Sequence, residues 1–256
     1  GTLIERFLEA LRFSLTPAQQ RVLSNVRQDL SQPLPMLRLV QGDVGSGKTV
    51  VAAIAALQAI AAGAQVALMA PTEILEKQHF LNFQPWFDPL GIELGWLSGK
   101  VKGKSREAVL HQLATGAARM VIGTHALFQD DVAFERLGLA IIDEQHRFGV
   151  HQRLALREKG AAGALAPHQL IMTATPIPRT LAMSAYADLD TSVIDELPPG
   201  RKPIETIAIP DARREDVINR VEEACRSGRQ AYWVCTLIEE SEALQCQAAE
   251  VTAEEL

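Results

Sequence analysis

The chain has 256 residues, a formal net charge of −6 at pH 7 and 47% hydrophobic residues. This length supports one sizeable core and the beginning of a second. The net negative charge argues against a chain coated in positive charge for binding nucleic acid, but it is compatible with a local track of basic residues. No apolar run approaches the roughly 18 residues that span a bilayer, and the three cysteines lack the spacing of a zinc site or a disulfide framework. We therefore expect a cytoplasmic protein with no membrane partner.

The first two segments are predicted to be helices. Apolar residues recur at helical spacing between Leu3 and Leu11, and Thr16 followed by Pro17 is typical of the start of a second helix. Gln19 lies in its first turn. Its carboxamide carries the donor and the acceptor that reading an adenine edge requires, but a glutamine at this position can equally be a plain surface residue.

Residues 42–49, GDVGSGKT, match the phosphate-binding pattern G-x-x-x-x-G-K-[ST] at every fixed position. An apolar run at 37–40 predicts a strand before the loop, and the alanine-rich run at 49–62 predicts a helix after it, which is the context that the motif requires. Lys48 would reach the β- and γ-phosphates, and Thr49 would place its hydroxyl on Mg²⁺. The predicted nucleotide-binding residues of this loop are Gly42, Gly45, Ser46, Gly47, Lys48 and Thr49.

Two further strands are predicted to end in loops that could contact a polymer. The strand at 65–70 runs into Pro71, Thr72 and Glu73 and then a helix reaching about residue 82, and the strand at 120–123 ends in a second loop. Ligands of open α/β sheets bind at the carboxyl ends of the strands, although ordinary turns would look the same. Pro71 and Thr72 are therefore candidates for backbone contact with a polymer.

A basic cluster follows the predicted strand at 92–97. Lys100, Lys102, Lys104 and Arg106 lie within seven residues, with no acidic residue among them. The cluster is either a solvated helix start or a patch that contacts phosphates.

An apolar strand at 139–142 ends in Asp143 and Glu144. Asp143 can hold the Mg²⁺ that bridges the phosphates, and Glu144 can orient and deprotonate the attacking water. A strand at 169–172 ends in Thr173 and Thr175, whose hydroxyls can bond the acidic motif and report the nucleotide state, or can simply cap a turn. Together with the phosphate loop, the acidic pair predicts a site that hydrolyses nucleoside triphosphates.

Three prolines and a glycine between residues 197 and 203 predict a hinge. Beyond it, strands are predicted at 204–209 and 230–236, with a helix between them. Because about 50 residues are too few for a complete second domain of this kind, the chain is expected to be truncated.

Two blocks, DEQHRFGV at 143–150 and TATPIPRT at 173–180, closely resemble the RecG-type branch-migration DNA helicases of superfamily 2. The resemblance covers essentially the whole chain. It implies a RecA-like, mostly parallel α/β lobe at 1–197, a hinge at 198–203 and the start of a second RecA-like lobe at 204–256. It also implies ATP and Mg²⁺ as cofactors, and ATP-driven remodelling of forked and branched DNA in repair and replication restart by a protein expected to be monomeric.

The same resemblance assigns roles to individual residues. Gln19 is similar to an adenine-reading glutamine, and Thr173 and Thr175 to the motif that couples hydrolysis to strand movement. The predicted catalytic set is Lys48, Asp143 and Glu144 with the two residues that follow them, Gln145 and His146. We interpret His146 as a coupling residue, although a histidine at such a position is most often a polar loop residue. Two loops resemble the family's DNA-contacting motifs, and the residues that this resemblance implies contact DNA are Pro71, Thr72, Glu73, Gly123, Thr124 and His125.

Parts of the family pattern lie outside the sequence. Neither the amino-terminal wedge nor the late motifs of the second lobe that supply arginine fingers are found in it, so weak hydrolysis and no fork specificity are expected of the chain alone. Two other functions remain open: a nucleotide-gated module that recruits a protein partner, and a P-loop ATPase that acts on proteins.

Overall fold

The structure is a computed structural model that describes residues 2–144, 166–175, 189–196 and 204–234. The chain divides into two compact units, Gly1–Arg201 and Lys202–Leu256. The predicted hinge at 198–203 lies outside the described residues, and the interpretation of the second unit as the start of another lobe stays a prediction.

One seven-stranded sheet forms the centre of the first unit. Its strands are β1 (Leu37–Gly42), β2 (Gln65–Met69), β3 (Leu94–Leu97), β4 (Met120–Gly123), β5 (Leu137–Asp143), β6 (His168–Thr173) and β7 (Asp190–Ile194). All neighbours pair in parallel, in the order β3-β4-β2-β5-β6-β1-β7. This confirms the predicted fold class. Because β6 lies between β1 and β5, the carboxyl ends of these three strands meet at one point of the sheet edge.

Helices cover both faces of this sheet. The first unit contains α1 (Leu3–Ala10), α2 (Pro17–Leu30), α3 (Lys48–Ala61), α4 (Glu73–Phe87) and α5 (Gly103–Ala114), with 3₁₀ turns at Asp88–Leu90 and His125–Phe128. Successive strand residues point to opposite faces, so Leu39 and Ala67 join one hydrophobic cluster while Val40 and Leu68 join the other. Strands buried on both faces explain the continuous apolar runs in the sequence.

The predicted helix starts agree with the structure. Thr16 caps α2 through a capping box in which its hydroxyl accepts from the Gln19 amide N–H, and Pro17 takes the first helical position. Phe7 of α1 is buried, as its place on the apolar face predicts. Among the described residues, no helix is both long enough and apolar enough to cross a membrane.

Helix α4 extends further than the sequence predicts. It continues to Phe87, five residues past the predicted end, although Pro85 lies in its last turn. The rings of Phe83 and Phe87 are fully buried in the core. Their burial, worth about 1.5–3 kcal/mol for each ring, offsets the hydrogen bond that the proline removes.

Strand β7 is absent from the sequence-based prediction. In the second unit the strand predicted at 204–209 is wrong, and the strand predicted at 230–236 is absent from 230–234, while 235–236 lie outside the described residues. The described residues of that unit form only a 3₁₀ turn, Asp211–Arg213, and helix α6 (Arg214–Arg226), while 204–210 and 230–234 have no regular structure. Ile204 and Tyr232 are 79% and 93% exposed. A strand needs ladder partners, and the described part of this unit provides none for these segments.

Candidate active site

The candidate active site lies where β1, β6 and β5 end side by side. Gln41 of β1 is paired with Thr173 of β6, and Met172 of β6 is paired with Asp143 of β5. The sheet therefore brings the phosphate loop, the two hydroxyls after β6 and the acidic pair to one place, as the motifs predicted. The physical reason is the strand order, which the sequence alone does not reveal.

The phosphate loop depends on a glycine at its entry into α3. Gly47 caps the helix with φ +90°, a left-handed conformation that side chains rarely adopt. A Cβ at this position would lie 2.1 Å from the Gln19 amide nitrogen. Glycine thus allows the loop to close tightly at the amino end of α3, where backbone N–H groups and the helix dipole favour an anion such as phosphate.

Lys48 is held over the loop by its own backbone. Its Nζ donates to the carbonyl oxygens of Gly42 at 2.5 Å and Asp43 at 3.0 Å. Burial lowers the pKa of Lys48, and the nearby charges of Asp143, Glu144 and Asp43 oppose that shift. The ammonium therefore lies between the phosphate loop and the acidic pair, where it can reach phosphate oxygens.

Glu144 is fixed by the strand next to it. Thr173 donates from Oγ1 to Glu144 Oε2 at 3.1 Å, and the Ala174 N–H donates to Oε1 at 2.9 Å. The Thr175 N–H in turn donates to Thr173 Oγ1. Glu144 has φ +51°, an uncommon conformation for a residue with a side chain, and such backbone strain clusters at functional sites. Both carboxylate oxygens are thereby oriented by the segment that was predicted to couple hydrolysis to movement.

Asp143 has a partner that the sequence did not indicate. His79 of α4 contacts it, with 2.7 Å between His79 Nε2 and Asp143 Oδ2. Their side chains are only 8% and 13% exposed. No motif includes His79, because its closeness to Asp143 arises from the packing of α4 on the sheet.

A pocket of about 590 Å³ lies beside the phosphate loop and is lined by Gln19, Gly45, Gly47 and Thr49, together with Phe13, Ser14, Thr16, Val50 and Trp86. Its size is within the range of small-molecule sites. Two aromatic residues, Phe13 and Trp86, give it apolar walls suited to a planar base. Neither was identified from the sequence: Phe13 lies in an unpatterned stretch, and Trp86 follows the predicted end of α4.

Gln19 connects this pocket to the phosphate loop. Its Oε1 accepts from the Thr16 N–H at 2.9 Å, and its Nε2 donates to the Ser46 carbonyl at 2.8 Å. A carboxamide has two hydrogens and an oxygen with two lone pairs, so one donor and one acceptor position remain available to an adenine edge. Reading of the base by Gln19 stays a prediction.

The oxygen donors at the site suit Mg²⁺ rather than a softer metal. Thr49 supplies a hydroxyl and Asp143 a carboxylate, and Mg²⁺ is commonly held by one or two carboxylates together with substrate phosphates. Within the described ranges, no group of three or more His, Cys, Asp or Glu residues could hold a metal ion by itself. The donor set thus fits a metal that arrives with a nucleotide.

Two loops are predicted to contact a polymer: the first polymer loop, 71–73, and the second polymer loop, 123–125. They lie at the carboxyl ends of β2 and β4. Thr72 caps α4, its hydroxyl accepting from the Leu75 N–H at 3.3 Å. Thr124 is 3% exposed, and its Oγ1 has no partner among the described residues, whereas His125 is exposed. Gly123 has a structural explanation, because a Cβ there would lie 2.4 Å from the Leu97 carbonyl oxygen. DNA contact by these loops remains a prediction.

Two of the four residues in the basic cluster, Lys100 and Arg106, form ion pairs. Lys100 lies 2.6 Å from Glu73 of the first polymer loop, and Arg106 lies 2.9 Å from Asp131. Lys102 and Lys104 are exposed at the start of α5. These two lysines, and not the whole cluster, are the candidates for phosphate contact. Gln145 and His146, which the resemblance places in the catalytic motif, lie outside the described residues.

Comparison with known proteins finds similarity over the region that contains these motifs. The pattern of the family described as DEAD/DEAH box helicase matches residues 16–184. RecG of Escherichia coli (strain K12), an ATP-dependent DNA helicase, is 67% identical over 256 residues, which are all of this chain and 37% of that protein. RecG of Aquifex aeolicus is 48% identical over 246 residues, 96% of this chain and 31% of that protein. The chain therefore spans about a third of the length of the relatives it matches.

Solved structures give the same result. RecG bound to a three-way DNA junction superposes with a TM-score of 0.84 at 42% identity, covering 99% of this chain and 33% of that chain. The DEAD-box helicase Mss116 bound to ssRNA superposes with a TM-score of 0.64 at 19% identity, covering 89% of this chain and 50% of that one. The second match concerns the fold alone, and the first confirms the resemblance to RecG-type helicases.

Proposed function

The chain belongs to the DEAD/DEAH box helicase family, and we propose that it is the ATP-binding motor segment of an ATP-dependent DNA helicase that unwinds or branch-migrates forked and recombination DNA. The observation that carries the proposal is the convergence of Lys48, Asp143, Glu144 and Thr173 at one sheet edge. The 67% identity to a RecG helicase supports DNA as the polymer. Repair, replication restart, a cytoplasmic location and a monomeric state are parts of the same proposal.

The residues divide the work of hydrolysis among them. Lys48 neutralises charge on the β- and γ-phosphates, and the loop amides around Gly45 and Gly47 hold the β-phosphate in place. Glu144, oriented by Thr173 and Ala174, holds the attacking water and accepts its proton. Mg²⁺, held by Thr49 and Asp143, would supply charge neutralisation between the β- and γ-phosphates when bound.

Coupling to DNA would pass through the hydroxyl that touches Glu144. Thr173 lies on β6 between the strand of the phosphate loop and the strand of the acidic pair, so it contacts the general base directly. A loop shift on DNA contact would alter that hydrogen bond and hence the orientation of Glu144. Gln145 and His146 are proposed members of the same relay, and residues 204–256 are proposed to begin a second RecA-like lobe.

DNA binding at different salt concentrations tests the choice of polymer. We expect the logarithm of the association constant for branched DNA to fall linearly with the logarithm of salt concentration, since each neutralised phosphate releases counterions. Replacing Lys102 and Lys104 by Glu should make that slope shallower by about one for each phosphate that these lysines neutralise. Lys100→Ala is the matched control, because Lys100 is already paired with Glu73.

Two results would contradict the proposal. A wild-type chain that shows no salt-dependent affinity for DNA would instead favour a nucleotide-gated module with a protein partner, an alternative consistent with the net charge of −6. An unchanged slope in the double variant would show that Lys102 and Lys104 are solvated surface residues that do not contact phosphates.

A further inference from the structure

We propose that His79 is a positioning residue for the candidate metal-binding carboxylate, Asp143. The inference rests on the proposed nucleotide site and goes beyond it, because His79 belongs to α4, which follows the first polymer loop and carries no part of the phosphate or acidic motifs. His79 acts through Asp143 and is not itself assigned a contact with nucleotide.

The contact is short and nearly dry. His79 Nε2 lies 2.7 Å from Asp143 Oδ2, and the two side chains are 8% and 13% exposed. A carboxylate only accepts, so the His79 tautomer that makes this bond is the one with its hydrogen on Nε2. Hydrogen bonds to a charged acceptor are roughly twice as strong as neutral ones, and little water competes for this one.

One carboxylate oxygen is thereby engaged, and the other is left for a different ligand. The bond to Oδ2 restricts rotation of the Asp143 side chain, and Oδ1 can then face a cation next to the phosphate loop. Metal-binding carboxylates are commonly oriented in this way by an outer partner. Asp143 ends β5 one residue before Glu144, so its orientation also matters for the residue that holds water.

The helix that carries His79 is well suited to hold it still. Phe83, one turn further along α4, packs against the His79 ring with centroids 6.4 Å apart, and Phe87 packs against Phe83 at 5.3 Å. Both phenylalanine rings are fully buried. The Nδ1 atom of His79 is buried without a partner among the described residues. A buried nitrogen without a partner costs stability, and the hydrogen bond between Nε2 and Asp143 offsets that cost.

A direct test compares nucleotide affinity with and without Mg²⁺ in the 256-residue chain. The probe is a fluorescent, non-hydrolysable ATP analogue, titrated once with EDTA and once with excess Mg²⁺. His79→Phe keeps an aromatic ring for the Phe83 contact but cannot donate, and we expect it to lose about 10- to 100-fold of the affinity gained from Mg²⁺. Affinity in EDTA should stay at the wild-type value, because the phosphate loop is untouched.

Two further variants separate positioning from packing. His79→Gln places a donor nitrogen at a similar reach, and we expect it to restore most of the Mg²⁺ gain. Phe80→Leu disturbs the same helix at the stacking contact of Phe80 with Trp96, where the ring centroids are 5.2 Å apart, and it should lower the melting temperature while leaving the Mg²⁺ gain unchanged.

Each outcome decides between the two proposals. A wild-type chain that binds no nucleotide with or without Mg²⁺ would overturn the proposed function itself. Normal wild-type binding with an unchanged Mg²⁺ gain in His79→Phe would overturn the role of His79 alone. The same would follow if His79→Gln and Phe80→Leu lost as much of the gain as His79→Phe, since the effect would then be one of packing.

Discussion

The nucleotide edge, where β1, β6 and β5 end, and the two polymer loops lie at the same end of one sheet, yet their contacts differ. At the nucleotide edge, side chains bond to distant parts of the chain. Gln19 donates to the Ser46 carbonyl of the phosphate loop, Thr173 donates to Glu144, and His79 contacts Asp143. In the first polymer loop, the Thr72 hydroxyl bonds the first turn of its own helix. A nucleotide at this edge would meet side chains that are already oriented, whereas a polymer would meet backbone and exposed lysines.

Lys48→Ala should lower ATP turnover more than the other two changes at or near the nucleotide edge. Its ammonium lies over the phosphate loop, where it would meet charge that develops on the phosphates. Removing one such group from a preorganised site costs about 10²- to 10³-fold in turnover. Steady-state ATP hydrolysis measures the loss, and Lys77→Ala, an exposed lysine on α4, serves as the control. Turnover within a few-fold of wild type would contradict the assignment of the loop.

Thr173→Ala should have an intermediate effect. It removes the Oγ1 hydrogen bond to Glu144 and leaves the one from the Ala174 N–H, and a hydrogen bond to a charged group is worth about 1.5–3 kcal/mol. We expect kcat to fall at least tenfold while KM for ATP stays nearly constant, because the general base and not the phosphate contact is disturbed. Thr173→Ser keeps the hydroxyl and should remain near wild type. Equal losses in both variants would show that the hydroxyl has no such role.

Glu76→Gln should change stability rather than turnover, which makes it the mildest of the three changes. Glu76 is fully buried on α4, where it accepts from Trp96 Nε1 while its Oε2 has no partner among the described residues. Burial raises its pKa from 4.5 to about 7, against the lowering effect of the Trp96 hydrogen bond. The proton is therefore bound more tightly in the folded state than in the unfolded state.

The sign of the pH effect follows from that difference. The contribution of neutral Glu76 is fully present below pH 4.5 and is lost as the pH rises through about 7. At pH 8 the glutamine variant should be more stable than wild type by about 1–3 kcal/mol, since one pKa unit corresponds to about 1.4 kcal/mol. At pH 4, below both pKa values, the two should unfold alike. Urea denaturation at both pH values measures this, and a variant that is less stable at pH 8 would contradict the buried-acid account.

The sequence predicted that the phosphate loop, the acidic pair and Thr173 meet at one sheet edge, because these motifs carry their own geometry. The glycines, Lys48 and Thr49 are adjacent in the chain, and strand ends bring Asp143 and Thr173 to the same edge in a parallel sheet. His79, Phe13 and Trp86 could not be found this way. Their roles come from tertiary packing, and neither local spacing nor residue type distinguishes them from ordinary helix or loop residues.

The errors in the fold have a similar cause. Strand β7 alternates exposed and buried residues, and its pairing with β1 depends on a long-range contact. The predicted strands at 204–209 and 230–236 have apolar residues of the right kind, yet the described part of their unit offers no partner strand. Local patterns predict which segments can be strands, whereas pairing decides which of them are.

The most direct test of the account is ATP turnover by this chain and by its Glu144→Gln variant, each with and without branched DNA. We expect low basal turnover that DNA increases in wild type, and a loss of about 10²- to 10⁴-fold in Glu144→Gln while nucleotide affinity is retained. A variant that keeps wild-type turnover would contradict the role of Glu144. Turnover that falls in the variant but never responds to DNA would leave a nucleotide hydrolase and refute the helicase motor.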